Sequence, residues 1–72
     1  MLSTGNRIEA RRKEMGLTQR ALARKLRMTR ISVWRLENGK TQLTKKTLPR
    51  VVKVMGLDFD ELAASMVEDM RR

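Results

Sequence analysis

Neither cysteine nor histidine occurs in the 72 residues. Without thiols there is no disulfide and no thiolate metal site, which suits a reducing cytosol. Without imidazole the usual general base and the usual zinc ligand are both missing. Long apolar runs are absent too: nothing approaches the roughly 18 residues of a membrane span, and the N-terminus lacks the apolar region of a signal peptide. No serine stands beside a base in a recognisable motif, and five of the eight acids fall in residues 58–72, where Asp58 and Glu61 are expected to cap a helix. The four glycines are isolated, so no phosphate-cradling loop is present. Repeats, low-complexity segments, linkers and strand-like alternation are also missing. These absences lead us to expect one small soluble cytoplasmic domain that is not an enzyme and has no cofactor, no metal and no membrane association.

What is present is positive charge, unevenly spread. Residues 1–30 carry nine Lys or Arg against two acids, residues 31–57 six against one, and residues 58–72 two against five. A basic block joined to an acidic, apolar segment points to one surface for a polyanion and another kept away from it.

Local punctuation divides the chain into helices. Asn6 followed by Glu9 reads as a capping box for the first, with Ser3 as an earlier alternative start, and Gly16 stops it near Met15. Thr18 caps a second helix that runs to about Leu26, and Thr29 a third that runs to about Asn38 and stops at Gly39. Thr47, with Pro49 just inside the helix start, opens a fourth that Gly56 closes; Asp58 with Glu61 forms a capping box for a fifth. Five helices with short connections imply a compact all-α domain.

The second and third helices are joined by a tight turn, and the third carries Arg30, Ser32 and Arg35. That is the helix-turn-helix arrangement, which lays a recognition helix in the DNA major groove. The stretch LTQRALARKLRMTRISVWRLENGK resembles the helix-turn-helix of the Cro and C-repressor (XRE, lambda-repressor-like) family, and the resemblance runs from about Arg7 to Leu62. It is carried by Gln19 opening the second helix, Ala23 at the tight helix contact, Val33 and Leu36 facing inward, and the LENGK ending. The resemblance implies a five-helix DNA-binding domain acting as a dimer on a near-palindromic operator. Arg27 departs from the pattern, since many members have glycine in the turn. A non-glycine residue held left-handed costs about 1 kcal/mol, so a turn of different shape is the alternative to strain.

At about 100° per residue, Val33 and Leu36 define the inner side of the third helix, Ile31 and Arg35 point nearly opposite, and Trp34 lies on a flank. Arg30, Ile31, Ser32 and Arg35 are the candidate base readers. A guanidinium can donate twice to guanine O6 and N7, and an apolar side chain can meet the C5 methyl of thymine. For Ile31 the alternatives are a contact with a partner protein or a lone surface residue. Trp34 has two readings: packing against the loop after the third helix, or a contact with the DNA backbone. Gln19 resembles the family's phosphate-contacting glutamine, and its place at a helix N-terminus suits an anion. Thr29, Asn38, Lys40, Lys45 and Lys46 are the other candidate phosphate contacts, against the alternative of a solvated basic loop. Arg12 and Glu37 match a family ion pair between the first and third helices.

In the fifth helix, Phe59, Leu62, Ala63, Met66, Val67 and Met70 form an apolar stripe roughly 18 Å long. Phe59 and Leu62 are expected to close the protein's own core. Ala63, Val67 and Met70 are expected to meet a second copy, so that residues 58–72 serve as a dimerisation helix of a single 1–72 domain; the alternatives are a helix folded wholly onto its own domain or a frayed end. The acids Glu68 and Asp69 then belong away from DNA. The functional expectation is a sequence-specific transcriptional regulator of double-stranded DNA, a Cro-like or controller-protein-like repressor of a phage, prophage or plasmid promoter, nucleoid-associated and with no effector domain following. Two alternatives stand beside it: an antitoxin that binds both an operator and a toxin protein, and a protein-interaction adaptor using the fifth helix.

Overall fold

Four of the five helix starts follow from a single side-chain oxygen each. In a computed structural model, which describes residues 3–71, the helices are α1 (Thr4–Glu14), α2 (Gln19–Leu26), α3 (Arg30–Glu37), α4 (Thr47–Met55) and α5 (Phe59–Met70). Thr18, Thr29 and Asp58 accept the N–H groups of Ala21, Ser32 and Glu61 and so begin α2, α3 and α5. Of the two starts offered for α1 the earlier is the one taken, and α4 begins at Thr47 as read but without a side-chain cap of its own. Ser3 begins α1, its Oγ accepting the Asn6 N–H at 3.2 Å, so Asn6 and Glu9 lie inside the helix and form no capping box. Ahead of α4, Thr44 and Thr47 bond reciprocally: the Thr44 N–H donates to Thr47 Oγ1 at 2.7 Å and the Thr47 N–H to Thr44 Oγ1 at 3.2 Å. The Leu48 N–H also reaches Thr44 O, at 2.9 Å. Thr44 therefore caps the turn of Lys45 and Lys46 that leads into α4, whose own N-cap, Lys46, makes no side-chain cap bond.

The first four helices end alike. Gly16, Arg27, Gly39 and Gly56 have positive φ, and after α2 the Met28 N–H reaches back to Ala23 O at 2.9 Å while the Arg27 N–H donates to Arg24 O at 3.3 Å. Arg27 sits at φ 57°, ψ 44°, so the turn keeps the shape a glycine would give and is strained instead of reshaped. What holds it is the next residue: Met28 packs against the core, as Leu17 and Leu57 do after the α1 and α4 turns.

That core draws Ile8 from α1, Leu22, Ala23 and Leu26 from α2, Val33 and Leu36 from α3, Leu43 from the α3–α4 loop, Val51 and Met55 from α4 and Leu62 from α5. Helix α2 packs on α3 and α4, α1 on α3 and α5, and α4 on α5. The Cα radius of gyration is 11.0 Å, against about 11 Å for a folded chain of this length, so α5 is folded onto the domain and does not project from it. Two arginines tie helix ends together: Arg11 Nε donates to Met55 O at 2.7 Å and Arg50 Nη1 to Leu26 O at 3.0 Å. Each places a cation at the carbonyl end of a helix, where charge and dipole agree. No helix among the described residues is long and apolar enough to cross a membrane.

The first turn of α1 meets the last turn of α3 backbone to backbone. A Cβ on Gly5 would lie 2.5 Å from Leu36 O and 2.6 Å from Glu37 O, so no other residue fits there. Beside it the Thr4 and Ser65 hydroxyls pair at 3.0 Å; Ser65 Oγ donates to Leu62 O at 2.7 Å, which leaves Thr4 as the donor of the pair. The Thr4 N–H donates to Asp69 Oδ2 at 3.1 Å. These bonds set the rotation of α5. Its buried line is Leu62, Ser65 and, half-covered, Asp69. Phe59, expected in the core, is 49% exposed instead. Two hydroxyls that satisfy each other are buried at little cost, and turning Ser65 inward turns Phe59 out.

Candidate nucleic-acid interface

Val33, Leu36 and Glu37 form the buried side of α3. Two of these are apolar and cost nothing to bury; Glu37 must be paired. Its carboxylate, 0% exposed, accepts from Arg12 Nε at 2.7 Å, Arg12 Nη2 at 3.1 Å and Gln19 Nε2 at 3.1 Å. Arg12 also donates through Nη1 to Leu17 O at 2.9 Å. One carboxylate thus gathers α1, the α1–α2 turn, the start of α2 and the end of α3. The bidentate hydrogen bond with Glu37 raises the Arg12 pKa above its usual value, against the opposing effect of burial. The guanidinium therefore stays charged at every physiological pH.

The same carboxylate decides how Gln19 stands. Glu37 only accepts, so the Gln19 amide must present Nε2 to it. One Nε2 hydrogen and the open N–H groups at the start of α2 remain for an anion. At the start of α3, Thr29 Oγ1 accepts the Ser32 N–H at 3.1 Å and pairs with Ser32 Oγ at 2.9 Å. This fixes the entry of α3 from its left-handed turn.

With the inner side so held, Arg30, Ile31, Trp34 and Arg35 are left exposed, Ile31 by 55%. A short helix clamped along one side and offering guanidinium, aliphatic and hydroxyl groups along the other can hydrogen-bond to base edges and touch methyl groups. The α3–α4 loop borders it. Leu43 is buried and pins the loop, while Lys40, Lys45 and Lys46 are exposed. The Asn38 Nδ2 donates to Trp34 O at 2.8 Å, folding that amide onto its own helix.

A model of the helix-turn-helix family matches residues 8–62. The chain belongs to that family, in its Cro/C-repressor (XRE) branch. This helix-turn-helix protein is accordingly a DNA-binding transcription regulator. Its structure is similar to that of the P22 c2 repressor, solved in complex with synthetic operator 9T in the presence of Tl+, with a TM-score of 0.80, 26% identity, and cover of 86% of this chain and 94% of that one. It also shares its fold with the clp gene regulator ClgR from C. glutamicum, at a TM-score of 0.74 and 22% identity over 93% of this chain and 87% of that one.

Three groups of the helix-turn-helix protein escape the sequence reading. Thr41, Gln42 and Thr44 line a groove with Met28, Ser32, Arg35 and Leu36; the loop carries no local signal for the direction in which it folds. Arg11 and Arg50, which tie helix ends, look in sequence like any other surface arginine. Gly5 did carry a signal, because glycine inside a helix costs up to about 1 kcal/mol relative to alanine and marks a close approach. On α5, Val67 and Met70 are exposed and Ala63 is half-covered, one apolar strip together with Phe59.

Proposed function

We propose that the protein is a Cro-like or controller-protein-like repressor that binds a near-palindromic operator in double-stranded DNA as a dimer. The observation that carries this reading is the exposed side of α3: a half-exposed Ile31 between Arg30 and Arg35, on a helix whose other side is fixed by Val33, Leu36 and the buried Glu37. Arg30, Ile31, Ser32 and Arg35 read bases. Gln19, Thr29, Asn38, Lys40, Lys45 and Lys46 hold phosphates on either side. The operator bound by the P22 c2 repressor supports duplex DNA as the ligand. Ala63, Val67 and Met70 meet their counterparts across a two-fold axis, which sets two α3 helices about one DNA turn, roughly 34 Å, apart.

Selection of bound duplexes from a random pool, followed by titration at several salt concentrations, tests the proposal. We expect log affinity to fall linearly with log salt by about 0.9 per phosphate neutralised, with roughly five to ten phosphates for a dimer. Arg35→Ala should lose roughly 1 to 3 kcal/mol on the selected operator and relax one base position, whereas Lys46→Ala should weaken all sequences alike. A flat salt response, or an unchanged ratio of specific to non-specific affinity in Arg35→Ala, overturns it.

A further inference from the structure

Trp34 is the single tryptophan of a chain that has no tyrosine, and 43% of it is exposed. The groove that the loop after α3 lines lies on the other flank of the helix. The Lys40 and Thr41 N–H groups both turn back to Arg35 O, at 2.8 and 3.4 Å, and Thr41, Gln42 and Thr44 line their groove with Ser32, Arg35 and Leu36. At about 100° per residue, Trp34 lies roughly 160° around the helix from Ser32, on the opposite flank. It is not among the side chains packed against the core. Its neighbour on that flank, one turn on, is Glu37, which holds the Gln19 amide at the start of α2.

We propose that Trp34 is a positioning residue of the DNA interface, its ring packing on the deoxyribose of the strand beside the α2 N-terminus and its Nε1–H donating to a phosphate oxygen there. The proposal rests on the DNA-binding mode given above. A helix with its side chains is about 10–12 Å across and the major groove about 12 Å wide. Side chains at the centre of the outward face therefore meet base edges, and those well round the helix meet the sugar–phosphate walls. Trp34 lies roughly 80° from the line between Ile31 and Arg35. Ser32 on the other flank and Arg30 are no nearer that line, but both belong to the first turn, the end of a recognition helix that reaches base edges; Trp34 stands a turn further along, level with the α2 N-terminus. An indole has an apolar body and a tip that only donates, and a sugar–phosphate wall offers carbon faces beside oxygens that only accept. Such a contact carries no base information, so it adds affinity on every sequence and fixes the depth and tilt of α3.

Indole emission of the full chain, titrated with the selected operator and with a random-sequence duplex, tests this without any substitution, and both duplexes should shift or quench it. Binding of labelled duplexes to Trp34→Ala should weaken at least roughly tenfold per subunit, as for a lost hydrogen bond to a charged group, and by the same factor on operator and random DNA. Trp34→Phe, which keeps a ring without the donor, should fall between. The log–log salt slope should be that of the parent protein in both variants, because no cation is removed. Any one of four results overturns the proposal: parental affinity in Trp34→Ala, emission insensitive to DNA, a changed operator-to-random ratio, or an emission shift that follows protein concentration without DNA. Failure of the DNA-binding mode itself reads differently, since the parent protein would then show no salt-dependent binding.

Discussion

Replacing Glu37 by Gln changes almost no volume and removes one charge from the most connected carboxylate among the described residues. Three donors converge on it, two from Arg12, whose side chain is only 12% exposed, and one from Gln19. The new amide keeps one accepting oxygen and turns an NH2 group toward at least one of those donors. Breaking a buried ion pair by removing one partner costs about 3 to 5 kcal/mol, because the remaining charge is left uncompensated. A domain of this size has a total stability of about 4 to 11 kcal/mol at 0.05–0.15 kcal/mol per residue, so Glu37→Gln consumes a large share of it. The midpoint of thermal unfolding should fall by at least about 12 °C, at roughly 4 °C or more per kcal/mol for a domain of this length. Circular dichroism melts and urea titrations read both quantities. The paired replacement Arg12→Met with Glu37→Met separates stability from orientation: apolar groups of similar volume should bring the melt close to that of the parent. Gln19, with no acceptor to orient it, should then weaken DNA binding on all sequences. A loss below about 1 kcal/mol in Glu37→Gln would show that water or an alternative partner reaches the Arg12 guanidinium and would refute the reasoning.

Arg27→Gly should raise stability by about 0.5 kcal/mol, because relief of a left-handed non-glycine residue outweighs the greater freedom of glycine in the unfolded chain; a lower melting midpoint would show that the Arg27 side chain holds something the backbone does not. Val67→Asp, at an exposed position of α5, should leave the fold intact, reduce the dimer seen by sedimentation and raise the protein concentration needed to fill a palindromic operator. If neither quantity moves, α5 is not the dimer surface.

The helix pattern was legible because its signals are local. A threonine or aspartate oxygen reaches an N–H three residues ahead within its own turn, so Thr18, Thr29 and Asp58 mark helix starts whatever lies around them. The glycines that close α1, α3 and α4 mark ends for the same reason, each having positive φ. The inner and outer sides of α3 also followed from its 3.6-residue period alone, since Val33 and Leu36 are a turn apart on one side and Ile31 lies across from them. Where two local signals competed, tertiary contact chose. Ser3 prevailed over Asn6 as the start of α1 because the extra turn carries Gly5 against the Leu36 and Glu37 carbonyls and Thr4 against Ser65.

Composition, period and capping by themselves determined that this chain makes five short helices, that two of them form a helix-turn-helix, and that α3 turns arginines and an isoleucine outward. Tertiary structure decided the rest. Arg27 had to take the left-handed turn once Met28 was drawn into the core, and Phe59 was turned out once the Ser65 hydroxyl found Thr4. The α3–α4 loop lines a groove on the Ser32 flank, and Trp34 on the other flank stays 43% exposed. A helical period says which residues share a side; how deeply a neighbouring helix covers that side depends on hydrogen bonds between residues as far apart as Thr4 and Ser65, and no local pattern encodes their meeting.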